Sequence, residues 1–539
     1  MRRAWVFLLG LFPWVAGAQE SLPKFISEVT VNNVTVDVVV KDAQGLPVNG
    51  LQAKDFRLWE DDQEQTITNF LAVEGGQVSQ AKDPSLVGQP MPRLVVLFFD
   101  LYLMTETDKR TVVNTVQDML EGGLPPGQEV AIVSFDGTLR VHTEPTASSE
   151  RLLRALKEVS RLSATGLQRQ IRLSAFDVRD VPARETWSTY QYRRAQNQEY
   201  WFEMRQMVSR LERAFSAALQ RYAKVPARKI AVLVSPGFPR AENVPIYRDY
   251  DFWQDTPPEY RHAGLLGKTA LQAAEAEYTL YTLDPSGTQL TTADASQRSS
   301  PLESGDVGNA AFWREADRKD TLIQAARLTG GEAIFSTDAG AALADVERIT
   351  ATYYSLAFQP PHAGDGKRHT IRVEVVGHPE YQLTYRREYV DRPIAERDAD
   401  RIRAGLLLGE QSNDLGLVLV LDKPTSKLRV GARGMRVYRM GAELRIPYAK
   451  LTLLPRGNTH WGQVQVVILV VDAAGNQSEL AHQLVPLELP NNQVEDARRR
   501  GYFAYRFTLE LEGGEQSLRV AVEDTLAKAT STVMAALKL

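Results

Sequence analysis

Four runs of this chain are apolar without alternation: Leu94-Val-Val-Leu-Phe-Phe-Asp100, Val130-Ala-Ile-Val-Ser-Phe135, Lys229-Ile-Ala-Val-Leu-Val-Ser235 and Tyr278-Thr-Leu-Tyr-Thr-Leu-Asp284. A strand that is apolar on both faces needs a sheet covered on both sides, and parallel strands joined through helices meet that need. The intervening segments supply the helices. Val112, Val116, Met119 and Leu120 share one helical face, Leu152, Leu153, Leu156 and Val159 a second. Trp201, Met204, Val208, Leu211, Phe215, Ala218 and Tyr222 form a longer stripe at the same period, which is how a helix docks on a sheet. A helix opened by Asp320, the Gly330-Gly331 stop, a strand to Phe335, the Ser336-Thr-Asp338 cap and a last helix to Thr350 complete the unit. The fold class is therefore α/β, with a doubly wound, mostly parallel sheet. Asp100 ends its first strand, at the rim where such sheets bind ligands.

The flanks follow a different period. From Val29 the residues alternate as a strand to the turn Asp42-Ala-Gln-Gly-Leu-Pro47, and Asp55–Glu60 and Gln65–Phe70 alternate again, predicting a small N-terminal β module over 24–75. The α/β domain spans 91–389. It is interrupted by a polar, aromatic insertion at about 163–198 and ends in a hairpin of His369–Val376 and Tyr381–Tyr385. Val390–Asp400, charged and carrying Pro393, reads as a linker. Beyond it, alternating strands separated by turns such as Ala474-Gly-Asn476 and Gly513-Gly514 predict a C-terminal β-sandwich over 401–539.

Met1-Arg2-Arg3, an apolar run to Val15 and Ala16-Gly17-Ala18 have the pattern of a secretory signal peptide over 1–18, so the mature protein is expected to be periplasmic or secreted, with no transmembrane segment. The formal charge of −4 gives no general attraction to nucleic acid. The absence of cysteine excludes disulfides, thiolate nucleophiles and Cys-ligated zinc.

Leu94–Asp100, Pro125-Pro-Gly-Gln-Glu-Val-Ala-Ile-Val-Ser-Phe135, Lys229–Gly237, Tyr281-Thr-Leu-Asp-Pro-Ser-Gly287 and Leu328-Thr-Gly-Gly331, in that order, resemble a von Willebrand factor type A (VWFA) domain. With the preceding β module, the stretch from about Val29 to Tyr389 resembles the exported VWFA-related proteins common in Acidobacteria. The resemblance implies a binding rather than a catalytic domain. It also implies a metal-ion-dependent adhesion site of the pattern Asp-x-Ser-x-Ser, a Thr and a further Asp, holding Mg²⁺ or Ca²⁺ through hard oxygen ligands. Asp100 and Thr165 match the first Asp and the Thr. Tyr102 and Met104 stand at the Ser positions and Pro236 at the last Asp. The implied site is therefore degenerate: no cofactor is expected, and Mg²⁺ or Ca²⁺ is the only ion the resemblance admits.

Signals for an enzyme are few. The seven histidines, at 142, 262, 362, 369, 378, 460 and 482, form neither His-Glu-x-x-His nor His-x-His, and there is no Gly-x-Ser-x-Gly elbow and no phosphate-cradling glycine loop. The insertion offers a partner site instead. Trp187, Tyr190, Tyr192, Arg193 and Arg194 are of the types enriched at interface centres. The expected function is that of a non-enzymatic exported binding or scaffold protein recognising another protein at the cell envelope. The alternatives are an envelope hydrolase with an unrecognised site and a purely structural envelope protein.

Overall fold

The computed structural model describes residues 33–166, 206–237, 267–286, 318–408 except 337 and 363, 412–430, 436–472 and 477–539 except 479. The segment expected to be a signal peptide and the insertion residues Trp187, Tyr190, Tyr192, Arg193 and Arg194 lie outside them. The chain divides into two compact units, one spanning Val31–Pro393 and one that includes Ile394–Leu539.

In the first unit, β1 (Val34–Lys41), β2 (Phe56–Glu60), β3 (Gln63–Gln65), β4 (Asn69–Glu74) and β5 (Gln77–Ala81) come before the α/β domain. Its sheet is built from β6 (Arg93–Asp100), β7 (Gln128–Phe135), β8 (Leu139–Thr146), β9 (Arg228–Val234), β10 (Tyr278–Asp284) and β11 (Ala333–Phe335). After it come β12 (Tyr353–Phe358), β13 (Arg368–Val375), β14 (Gln382–Thr384) and β15 (Glu388–Val390).

The α/β sheet has the order β11-β10-β9-β6-β7-β8. All its strands are parallel except β8, which returns from β7 through the Asp136-Gly137 turn. Strand order reverses between β6 and β9, the switch point at which open α/β sheets form their ligand crevice. Alternate residues of β6 face opposite cores. Leu94, Val96 and Phe98 pack with Leu211, Phe215 and Ala218 of the helical segment 206–221 and with Tyr222 just after it, and the rings of Phe98 and Phe215 meet edge-on at 5.0 Å. Leu97 and Phe99 pack with the helices Glu106–Glu121, Ser149–Arg161 and Ala339–Thr350 through Val112, Val116, Leu152, Leu156, Val159, Leu343 and Val346.

The N-terminal strands do not form a module of their own. β12 lies between β1 and β4 in the sheet β14-β1-β12-β4-β5, and β13 pairs with β2 in the sheet β15-β13-β2-β3. One sandwich is thus assembled from both ends of the unit, with the α/β domain inserted between β5 and β12. The hairpin expected over 369–385 is likewise absent: β13 pairs with β2 and β15, while β14 crosses to β1 in the other sheet. Burial explains the arrangement. Val34, Val36, Val38 and Val40 form one apolar face of β1, and they enclose a core only with Phe56, Leu58, Leu356, Phe358, Ile371, Val373 and Tyr385. Without β12–β15, a β module of this size would leave that face in water.

Two buried arginines join sandwich and α/β domain. Arg228, at the start of β9, donates to the Thr350 carbonyl, lies 3.4 Å from the Asp37 carboxylate and stacks 3.5 Å over the Tyr353 ring. Arg386 donates to the Ala274 carbonyl at 2.7 Å and to the Thr35 carbonyl. Gly330, at φ +78°, makes the close approach between the two: a Cβ there would lie 2.5 Å from the Tyr385 carbonyl carbon.

In the second unit, β16 (Val418–Leu421), β17 (Thr425–Val430), β18 (Arg436–Pro447) and β22 (Tyr502–Glu512) form one antiparallel sheet, with β16 and β17 pairing with successive stretches of β18. β19 (Leu454–Arg456), β20 (Thr459–Asp472), β21 (Ala481–Pro490), β23 (Glu515–Asp524) and β24 (Ala529–Lys538) form the other. Leu444, Ile446, Val464, Val466, Leu509, Val520 and Val522 fill the space between them. The start of this unit differs from the linker expected at Val390–Asp400, because Ile394–Leu408 is a helix. Its Arg401 pairs with the buried Glu523 at 2.9 Å, while Ile402 and Leu406 pack on Val467, Leu469 and Ala521.

Candidate functional site

The switch point brings Asp100, at the end of β6, against Ser235, just past β9. The carboxylate of Asp100 is fully buried. Its Oδ2 accepts from Ser235 Oγ at 2.7 Å and its Oδ1 from the Leu103 N–H at 3.1 Å. Ser235 Oγ in turn accepts from the N–H of Gly237, whose φ of +72° turns the chain back over the rim. Tyr102 and Met104, both buried, point into opposite cores, with the Tyr102 ring 5.2 Å from that of Phe135. An aromatic and a thioether side chain therefore fill these two positions of the rim loop.

Thr165 lies across this loop. Its N–H donates to the Leu101 carbonyl at 2.9 Å and its hydroxyl to the Tyr102 carbonyl at 3.3 Å, while the Gly166 N–H donates to Met104 at 2.9 Å. A Cβ on Gly166 would fall 2.0 Å from the Leu103 oxygen, so only glycine permits this approach. The segment is held from below as well. Glu106 accepts from the Ala164 N–H at 2.7 Å, and buried Lys109 donates to the carbonyls of Ser160 and Leu162 and pairs with Glu106 at 2.7 Å. Burial raises the Glu106 pKa, but Lys109 and the Ala164 N–H outweigh it and hold the carboxyl below its ordinary range. Asp284, at the end of β10, accepts from the N–H and hydroxyl of Ser286 and so caps the turn after that strand.

A hydroxyl, an imidazole and a carboxylate stand in a row nearby. Ser134 Oγ is 2.8 Å from His142 Nε2, and His142 Nδ1 is 3.1 Å from Glu158 Oε2. Ser134 is fully buried in β7, paired with Phe99 on one side and Arg140 on the other. No substrate carbonyl reaches a hydroxyl so placed; the row ties the edge strand to the helix Ser149–Arg161.

A second polar centre lies in the sandwich and has no motif in the sequence. His362 and His369 stack at 3.8 Å with their planes 11° apart. His362 Nδ1 is 3.0 Å from Asp391 Oδ2, which also accepts from the Gly364 N–H at 2.7 Å. The other ring nitrogen, Nε2, is buried without a hydrogen bond, 3.4 Å from Glu60 Oε1. His369 Nδ1 is 2.7 Å from Asp61 and its Nε2 3.2 Å from Asp365. Burial disfavours the His369 cation, but the hydrogen bonds to Asp61 and Asp365 outweigh it and raise its pKa. Asp61 is pushed up by burial yet held below the carboxylate range by Thr370 and His369. Burial and then Glu60 raise the Tyr389 pKa far above that of an ordinary phenol, so its hydroxyl stays protonated and donates to Glu60 at 2.5 Å. The residues come from β2 and the turn after it, the segment between β12 and β13, the start of β13, and β15 with the residue that follows it. Only the pairing of those strands gathers them.

No family model and no curated protein sequence matches this chain. Among solved structures, it is similar to an aerotolerance-related membrane protein from Bacteroides fragilis, at 12% identity and a TM-score of 0.25 over 48% of this chain and 98% of that one. It is also similar to the vWF domain of the type V pili tip protein Mfa5 from Porphyromonas gingivalis, at 13% identity and a TM-score of 0.26 over 48% and 95%. A third is the hypothetical protein BatB from Bacteroides thetaiotaomicron, at 9% identity and a TM-score of 0.24 over 48% and 97%. Among the described residues, no helix is long and apolar enough to cross a membrane.

Proposed function

We propose that this chain is an exported, non-enzymatic binding or scaffold protein whose VWFA-like domain recognises another protein at the cell envelope, through the rim of its central sheet and without Mg²⁺ or Ca²⁺. The observation that carries the reading is the commitment of Asp100: both its oxygens accept hydrogen bonds from within the protein, from Ser235 and Leu103, at the switch point of the sheet. Loops at such a rim are the parts of an α/β domain free to vary with a partner. By sequence, the recognition surface extends to the insertion carrying Trp187, Tyr190, Tyr192, Arg193 and Arg194. Export rests on the basic, apolar and small-residue order of residues 1–18, and N-terminal sequencing of protein from its native host tests it.

The functional test is capture of envelope proteins by the full chain and by a Trp187→Ala/Tyr190→Ala/Tyr192→Ala variant, with melting of both as the control. Loss of capture by at least the roughly 2 kcal/mol of an interface hot spot, at unchanged melting temperature, is the expected outcome. Full capture by a folded variant places the interface elsewhere. A dependence of capture on Mg²⁺ or Ca²⁺ contradicts the metal-free reading of the rim.

A further inference from the structure

We propose that Glu60, His362 and His369, with Asp365 in reach and Asp391 and Asp61 as orienting partners, bind one divalent transition-metal ion of the zinc class. The ligand atoms of Glu60, His362 and His369 lie within 4.8 Å of one another, and so do those of His362, Asp365 and Asp391. A tetrahedral ion with bonds of about 2.0–2.1 Å sets its ligands about 3.3 Å apart. The separations of 3.4 Å between His362 Nε2 and Glu60 Oε1 and 3.2 Å between His369 Nε2 and Asp365 Oδ1 match that edge.

The second observation is the state of His362 Nε2. It is buried, faces a carboxylate and has no hydrogen bond, whereas Nδ1 of the same ring is fixed by Asp391. A ring whose far nitrogen donates to a carboxylate turns its near nitrogen into a directed lone pair, the arrangement that orients histidine ligands toward metals. His369 differs: Asp61 holds its Nδ1 and Asp365 its Nε2, so an ion bound at Nε2 would take the place of the proton shared with Asp365. Imidazole with carboxylate selects zinc-class ions, while Mg²⁺ and Ca²⁺ take oxygen sets. A dication also offsets the excess of four carboxylates, Glu60, Asp61, Asp365 and Asp391, over two imidazoles. The parallel stack of the rings requires one of them to tilt on binding. His362 retains 21% side-chain exposure, which gives the ion a way in. Once bound, the ion ties Glu60 of β2 to the segment between β12 and β13, linking the strands before the inserted domain to those after it.

The test uses the full chain stripped with chelator, titrated with Zn²⁺ by calorimetry and with Co²⁺ by visible absorption. One ion per chain with tetrahedral Co²⁺ bands is expected. His362→Gln and Glu60→Gln should each weaken binding at least tenfold, and Asp391→Asn, which frees the ring without removing a ligand, by about 10- to 100-fold. Asp100→Asn at the rim and His378→Gln, a half-exposed histidine paired with Glu380, should leave it unchanged. Melting of each metal-free variant controls for folding. If His362→Gln unfolds, the more exposed Asp365→Asn carries the comparison. Absence of saturable binding, or binding that survives in folded Glu60→Gln and His362→Gln, overturns the proposal.

Discussion

The rim of the central sheet and the histidine cluster of the sandwich differ in what their polar atoms have left to do. At the rim, the position is right for a ligand and the atoms are committed: Asp100 accepts from Ser235 and Leu103, and the Thr165 hydroxyl donates to the Tyr102 carbonyl. In the sandwich, no rule of fold marks the place, yet His362 Nε2 faces Glu60 with no hydrogen bond between them. Location in a fold gives the prior for a site, and the hydrogen-bond account of its atoms decides whether anything can bind there.

The largest effect expected is at the rim. Gly166→Ala places a methyl 2.0 Å from the Leu103 oxygen and must drive the two rim loops apart, at a cost of about 3 kcal/mol or more in denaturant unfolding. A neutral outcome would mean that the loops are not locked together and that the rim can rearrange around an ion.

Asp100→Ala follows. It strands the Ser235 hydroxyl and the Leu103 N–H in a buried site, so stability should fall by about 2–3 kcal/mol, equally in chelator and in Mg²⁺. A loss seen only with Mg²⁺ present would make Asp100 a ligand and erase the contrast with the sandwich.

Arg228→Met probes the junction between the regions. It removes the donor to the Thr350 carbonyl and the cation beside the Asp37 carboxylate and should cost about 2 kcal/mol, with both domains still melting in one transition. Two separate transitions would show that sandwich and α/β domain fold independently.

The smallest effect is that of Glu106. Its carboxyl pKa is lowered in the folded state, so the stability it contributes is complete above the unfolded carboxylate pKa and is lost as pH falls through the folded one. The group is half exposed, which limits the contribution to a few tenths of a kcal/mol. Glu106→Gln should therefore match the wild type in acid and fall slightly below it at neutral pH, as read from urea midpoints.

The central sheet was legible because a strand buried on both faces carries its environment in its own residues. β6, β7, β9 and β10 are such runs, and Asp136-Gly137 announces the turn to β8. The sandwich was not legible as one body. β1 and β13 each alternate cleanly, but nothing local says that their partners lie beyond an inserted domain. The helix Ile394–Leu408 is hidden by its charges, although Ala399, Ile402 and Leu406 at helical spacing were available to reveal it. At the rim, Asp100 and Thr165 stood out through their places in the motif that the resemblance implies, and Tyr102 and Met104 by standing at its hydroxyl positions. The histidine cluster left no trace, because His369 and Asp61 are 308 positions apart and meet only through the pairing of β13 with β2. Local spacing rules for metal ligands detect only sites built on one element.

The most direct measurement is anomalous diffraction from crystals soaked separately with Zn²⁺ and with Mn²⁺, the latter standing in for Mg²⁺. The account predicts a zinc peak between Glu60 and His362 and no peak of either metal at Asp100. A manganese or zinc peak within bonding distance of the Asp100 carboxylate, with none in the sandwich, would contradict it.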